Sequence, residues 1–244
     1  MININQVKNK KEWGYHTLLD RHRDYNYDRF EIDPHTEIDL KPYVHHFGAL
    51  YVVSGSGRLK SKETTTPIIA NGTSGFFSFN NLYEIIISTE NGIILQGVSV
   101  NDKPKILKEG YRVDKSHAWG LGGEELWLQW NERNCFKRII LPAGRVTSLQ
   151  FHREKYETNF IVEGHARVYM GKQEANLEET KANLRVIEAG PGNFFPVPIG
   201  LVHRIEALTN LVLLEASTTH VDDVVRLEDA TGRTDGKILS EHRT

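Results

Sequence analysis

The chain has 244 residues, with 30 Lys and Arg against 32 Asp and Glu for a formal charge of -2. That length can bury a hydrophobic core, and the near balance of charge argues against nucleic acid or another polyanion as a partner. A single cysteine, Cys135, excludes an intramolecular disulfide; placed at the start of an apolar run, it reads as a core residue.

In chain order, the opening segment MININQVKNKKEWGY lacks the apolar core of a signal peptide, and no later run approaches the ~18 apolar residues of a membrane span. A soluble, cytoplasmic protein without membrane contact is the expectation. Short runs rich in Val, Ile, Phe and Tyr follow at 49–59, 83–89, 92–100, 137–144, 159–171 and 210–218, separated by Gly, Asn, Pro and Ser. This is strand and turn chemistry. Residues 175–185, ANLEETKANLR, read either as a helix or as a polar loop between strands. Many short strands with glycine turns predict an all-β antiparallel sandwich or barrel.

The two halves overlay at a shift of 106 to 118 residues. Trp13-Gly14 falls on Trp119-Gly120, DRFEIDP ending at Pro34 on FKRIILP ending at Pro142, and LYVVSGSGRL on FIVEGHARV with Gly55 on Gly164. Gly75 then falls on Gly192 and GIILQGVSV on NLVLLEAST. The collinear order predicts two similar β-domains, residues 1–105 and 106–244.

The second copy carries the chemistry. Gln150 and His152 are two apart, a spacing that points both side chains to one face of a strand, and Glu157 follows within reach. Some forty residues on, His203 follows Pro198 and Gly200, which make a tight approach to a strand. Two imidazoles, a carboxylate and an amide oxygen form a mixed nitrogen and oxygen set suited to zinc, iron, manganese, cobalt or nickel.

These segments resemble the two cupin motifs. Gly144, Gln150, His152, Glu157 and Gly164 fit the first spacing throughout, and Gly192, Pro198, Gly200 and His203 fit the second. The S-L-Q-x-H of residues 148–152, the H-R-I-E of 203–206 and the tail HVDDVVRLEDATGR of 220–233 further resemble the cupin domain of type II phosphomannose isomerases, over residues 119–233. The resemblance implies two tandem cupin (double-stranded β-helix, jelly-roll) barrels. It also implies one divalent ion, zinc by expectation, held by Gln150, His152, Glu157 and His203. A sugar or sugar phosphate as ligand and a homodimer are further family expectations.

Its implied activity is metal-dependent aldose–ketose isomerisation of a sugar phosphate, with a cupin dioxygenase and a non-catalytic sugar-binding cupin as alternatives. Lys155 and Arg233 are the candidate catalytic residues, cations able to take a phosphate or carboxylate; the plainer reading makes each a solvated charge at a barrel mouth. The acidic stretch 220–229 is expected to be solvated surface. Departures are clear: the family's H-H-H-R-A-E-H-W is here HREKYETNF, with Lys155 for Arg and Thr158 for His, and Ala207 stands where Asn is usual. In the first copy the overlay puts Lys41, Tyr43 and Gly48 at the positions of Gln150, His152 and Glu157, and Asn81 and Tyr83 at those of the Pro and Gly of the second motif. No metal site is expected there, since the adjacent His45 and His46 would face opposite sides of a strand.

Overall fold

The structure, a computed structural model, describes residues 8–61, 64–70, 75–80 and 85–242. It is all-β with two sandwich units. The N-terminal unit contains β1 (Asn9–Lys11), β2 (Gly14–Arg21), β3 (Asn26–Ile32), β4 (Thr36–Asp39), β5 (Phe47–Ser61), β6 (Thr64–Ile69), β7 (Phe76–Asn80), β8 (Ile86–Thr89) and β9 (Ile93–Val100). Next come β10 (Ile106–Asp114), a helical turn α1 (Ser116–Trp119), β11 (Glu124–Asn131), β12 (Asn134–Leu141), β13 (Leu149–Phe151), β14 (Glu157–Glu163) and β15 (Ala166–Gly171). A short helix α2 (Leu177–Ala182) precedes β16 (Arg185–Ala189), β17 (Phe194–Val197), β18 (Val202–Ala207), β19 (Leu211–Thr218) and β20 (Val225–Glu228). Compact grouping divides the chain at Gly110 and Tyr111, and places residues 128–136 with the N-terminal unit.

One strand order is repeated. The sheet β10-β11-β12-β19-β14-β17 matches the N-terminal order β1-β2-β3-β9-β5, with β7 also paired to β5. In the second sheet, β16-β15-β18-β13 matches β6, the far half of β5, β8 and β4, and β20 is added beyond β13 with no counterpart among the described residues. The N-terminal unit therefore runs as one strand, β5, what the C-terminal unit splits into β14 and β15.

Irregularities repeat too. A bulge falls between Val52 and Ser54 of β5 and between Ile161 and Glu163 of β14, 109 residues apart. Gly55 and Gly164 follow with φ of 81° and 82°. A Cβ at either position would stand 2.2 or 2.1 Å from the carbonyl oxygen of Gly92 or Asn210, so both turns require glycine.

In β12, Ile139 and Leu141 are buried while Arg138 and Ile140 are partly exposed; in β3 the buried pair is Phe30 and Ile32. The inward residues thus match at a shift of 109, and the overlay of Pro34 on Pro142 is one residue out of register. A one-residue slip turns every side chain to the opposite face. Inside the C-terminal unit Ile161, Val168, Phe195, Ile205 and Leu213 share one core, each contributing about 1.5–3 kcal/mol of burial.

The 175–185 segment resolves as the helix alternative, over Leu177–Ala182. Its N-cap Asn176 accepts the Glu179 amide at 2.9 Å. Cys135 is fully buried, as expected. No helix of the described residues is long and apolar enough to cross a membrane.

Candidate metal centre

Gln150 in β13 pairs in register with His203 in β18, His152 follows the end of β13, and Glu157 opens β14. The turn at Pro198 is closed by a Leu201 amide to Pro198 carbonyl bond of 3.1 Å. The Gly200 amide also donates to the carbonyl of His152 at 2.8 Å, so the second motif is bonded directly to the first.

His152 Nε2 lies 3.5 Å from Glu157 Oε2, and His203 Nε2 lies 3.4 Å from Glu157 Oε1. All three residues are buried, and a ligand atom from each lies within 4.8 Å of the others. His203 Nδ1 donates to the Leu201 carbonyl at 3.1 Å and His152 Nδ1 to the Asp223 carbonyl. With Nδ1 protonated, each ring turns an Nε2 lone pair toward the carboxylate. Burial pushes the His203 imidazole below its ordinary value, against the pull of Glu157. Burial also opposes ionisation of Glu157, but the Lys155 ammonium, together with His152 and His203, outweighs it and holds the carboxyl well below the usual range.

His152 Nε2 is buried with no hydrogen-bond partner. An orphaned lone pair beside an ionised carboxylate and a second imidazole is costly as it stands, and is what a divalent cation satisfies. Gln150 fits the same set. Its Nε2 faces His203 Nε2 at 3.5 Å while Oε1 accepts from Ser148 Oγ at 2.6 Å. A half-turn of the amide presents Oε1 instead, with Ser148 Oγ then accepting from Nε2.

Lys155 and Arg233 are not solvated charges at a mouth. Lys155 is 4% exposed; its ammonium donates to Glu157 Oε2 and, at 2.8 Å, to Glu215 Oε1. Burial lowers the Lys155 pKa, but the two carboxylates more than reverse this, so it keeps its proton. Arg233 lines the same cavity, yet its Nε and Nη2 grip Asp229 Oδ1 at 3.1 and 2.7 Å and its Nη1 lies 3.4 Å from Glu241 Oε1. That engagement makes Arg233 a clamp on the C-terminal segment.

Three further residues, absent from the sequence reading, extend this network. Lys137 lies 3.5 Å from Glu215 and 3.9 Å from Glu125, and Lys115 lies 3.6 Å from Glu125 and 2.5 Å from Glu241. From Glu241 to Glu157 the charges, all buried but the half-buried Glu125, alternate in sign. Burying ions costs as much as or more than their attraction returns, so such a ladder does not earn its place through stability; it sets the charge of a cavity. The signal was present as charges set in otherwise apolar strands, Glu125 beside Glu124 in EELWLQW, Lys137 beside Arg138 in CFKRII and Glu215 alone in LVLLEAST.

The stretch 220–229, expected as solvated surface, is a strap over the cavity. Asp223 Oδ2 accepts the amides of Glu154 and Lys155 at 2.6 and 2.9 Å, and β20 pairs with β13. Acidic residues here serve as backbone acceptors.

Among solved structures, the oxalate decarboxylase of Lactobacillus farciminis in its formate complex superposes with a TM-score of 0.61 over 93% of this chain and 88% of that one, at 12% identity. Procruciferin, the 11S globulin of Brassica napus, does so at 0.61 over 89% and 84%, with 10% identity. The fold is that of the bicupins. In sequence, the bicupin is 29% identical over 112 residues to the xanthan biosynthesis protein XanB of Xanthomonas campestris, 44% of this chain and 21% of that protein. It is 24% identical over 162 residues to the mannose-1-phosphate guanylyltransferase ManC of Salmonella typhimurium, 61% of this chain and 31% of that one. The chain thus matches less than a third of the length of these relatives. No family model matches it.

The N-terminal cupin lacks the ligand set among its described residues. The shift of 109 places Lys41, Tyr43 and Gly48 at Gln150, His152 and Glu157, and the pairing of Arg58 with Ser88 and Arg167 with Glu206 places Ile85 at His203. Aromatic rings fill the space: Tyr43 stands edge-on to Trp13 at 5.3 Å and to His16 at 5.4 Å. A Cβ on Gly48 would lie 2.7 Å from the Phe79 ring. His45 and His46 sit in the turn before β5 rather than in a strand. Asn81 and Tyr83 lie outside the described residues.

Proposed function

We propose that this bicupin is a metal-dependent aldose–ketose isomerase acting on a sugar phosphate. The observation that carries the reading is the convergence of two Nδ1-tethered imidazoles and the ionised Glu157 on one buried point, with His152 Nε2 left without a partner. The resemblance of residues 119–233 to the cupin domain of type II phosphomannose isomerases supports it, as does the similarity to XanB and ManC.

Gln150, His152, Glu157 and His203 would hold the ion. When bound, a divalent ion supplies Lewis acidity that polarises a carbonyl and its neighbouring hydroxyl, the groups whose protons an aldose–ketose interconversion moves. Asp223 and Leu201 fix the imidazole tautomers through their carbonyls. Lys155 keeps Glu157 charged and holds a proton at Nζ, which suits it to donate to a substrate oxygen and not to act as the base. The strap and the apolar wall of Trp119, Ile139 and Leu213 narrow the cavity's access to water.

Elemental analysis by mass spectrometry, followed by an anaerobic assay with mannose 6-phosphate and other hexose phosphates, tests the reading. About one zinc, manganese or iron per chain with aldose–ketose interconversion is expected. Turnover that requires oxygen would replace the isomerase with an oxygenase, and absence of metal under every loading condition would remove the site.

A further inference from the structure

Six basic and five acidic side chains line the cavity of the C-terminal cupin. Lys115, Lys137, Lys155 and Arg233 each lie within 4 Å of a carboxylate. Arg226 and Lys237 have no such carboxylate partner among the described residues. Arg226 is held in place regardless: its Nη1 donates to the carbonyls of Thr234 and, at 2.9 Å, Gly236, and its own amide donates to Asp235 Oδ1 at 2.7 Å. Those bonds orient the guanidinium and leave it without an ion pair of its own among the described residues. Its Nε is buried with no hydrogen-bond partner, a donor whose desolvation nothing returns. The carboxylates around it do not pair with that donor: Asp229 and Glu241 are engaged by Arg233, and Asp235 takes the Arg226 amide.

Position gives this cation a use. Arg226 in β20 is the register partner of Gln150 in β13, and neighbouring strands lie ~5 Å apart. A ligand only a few ångströms long therefore reaches from the metal centre to Arg226. Once a divalent ion shares Glu157 with Lys155, the wall as a whole carries excess positive charge. A planar guanidinium with free donors suits a phosphate or carboxylate.

We propose that Arg226, aided by Lys237, forms an oxyanion subsite beside the metal centre that takes the phosphate or carboxylate of the substrate. The rest of the substrate is taken from the isomerase reading; the anion site itself is tested by binding and not by turnover. Zinc-loaded full-length protein is titrated calorimetrically with mannose 6-phosphate, mannose, mannuronate and inorganic phosphate, as wild type and as Arg226→Gln, Arg226→Lys and Lys237→Gln.

The wild type is expected to bind the phosphate ester at least about tenfold more tightly than mannose, with inorganic phosphate competing. A stronger response to mannuronate than to the ester would make the natural group a carboxylate. Arg226→Gln should abolish the preference while zinc stoichiometry and mannose binding stay unchanged, and Arg226→Lys should restore part of it. Because Arg226 also bonds to strap carbonyls, Lys237→Gln supplies a check on a side chain that makes no such bonds, with a loss of about threefold expected. No preference for either anionic sugar in the wild type, or a preference undiminished in both Gln variants, overturns the subsite. Wild type that binds the ester tightly but never converts it would sink the isomerase reading and leave the subsite standing.

Discussion

Lys155 touches two buried carboxylates, donating to Glu157 Oε2 and lying 2.8 Å from Glu215 Oε1. Lys155→Met keeps the stem and removes the charge. Deleting one partner of a buried ion pair costs about 3–5 kcal/mol, here divided between two acids. Glu215 retains Lys137 at 3.5 Å, whereas Glu157 has no second lysine or arginine within 4 Å among the described residues. Roughly half the loss, ~2 kcal/mol, therefore falls on Glu157. An ion bound by His152, Glu157 and His203 replaces the missing charge, so that part is recovered on loading. Lys155→Met should accordingly bind zinc about 30-fold more tightly than wild type, although it alters a residue beside the site and should impair turnover. Zinc competition against a chromophoric chelator at pH 8, where an unpaired Glu157 is expected to stay ionised, reads the affinity. Thermal unfolding with and without zinc reads the stability, with a fall of about 6–20 °C expected in the metal-free form and roughly half that in the loaded one. Unchanged or weaker zinc binding would refute the reasoning, because Lys155 and the ion would then not compete for the same carboxylate.

His152→Ala and His203→Ala should each lose metal by more than the roughly 10–100-fold that outer-shell partners are worth, read as metal per chain by mass spectrometry with the β-sheet circular dichroism retained. Gly48→Ala would place a methyl 2.1 Å from the Val98 carbonyl oxygen and 2.7 Å from the Phe79 ring; a loss of about 1–3 kcal/mol in urea unfolding is expected, with zinc stoichiometry unchanged. Acid should act through Glu125 and Asp229. Burial opposes ionisation of both, but Lys115 and Lys137 around Glu125, and Arg233 on Asp229, depress both carboxyls far below their ordinary values. A depressed folded value stabilises above the unfolded value of about 4 and loses that contribution as pH falls toward the folded value. The unfolding midpoint should stay level from pH 7 to 5 and drop below about 4; a drop complete by pH 5.5 would assign the loss to other groups.

What the chain discloses unaided follows the physics of each feature. Ligand spacing was legible because Gln150, His152 and Glu157 lie on one short stretch, and because His203 follows a turn that Pro198 and Gly200 prescribe. The character of the first copy's matching positions was legible for the same reason, since Tyr43 and Gly48 offer no carboxylate or imidazole. The register of β12 was not: two prolines invited alignment, and only the alternation of burial at Ile139 and Leu141 shows the slip. Nor was the ladder, because Glu125, Lys137 and Glu215 come from three different strands, and nothing local says which charge in an apolar run faces inward beside another. The strap was hidden because Asp223 and Asp229 look like solvent-seeking acids until the amides and guanidinium that they bind come into view.

The carbonyl of Asp223 has a kinetic consequence. It holds the Nδ1 proton of His152, while the side chain of the same residue ties the strap to the Glu154 and Lys155 amides. A segment that moved aside to admit or release an ion would also free the imidazole to change tautomer, so exposure of the centre and loss of its donor geometry become a single event. Exchange of an ion held there would then run at the frequency of that opening, and a chelator would be expected to strip it at a velocity independent of chelator concentration.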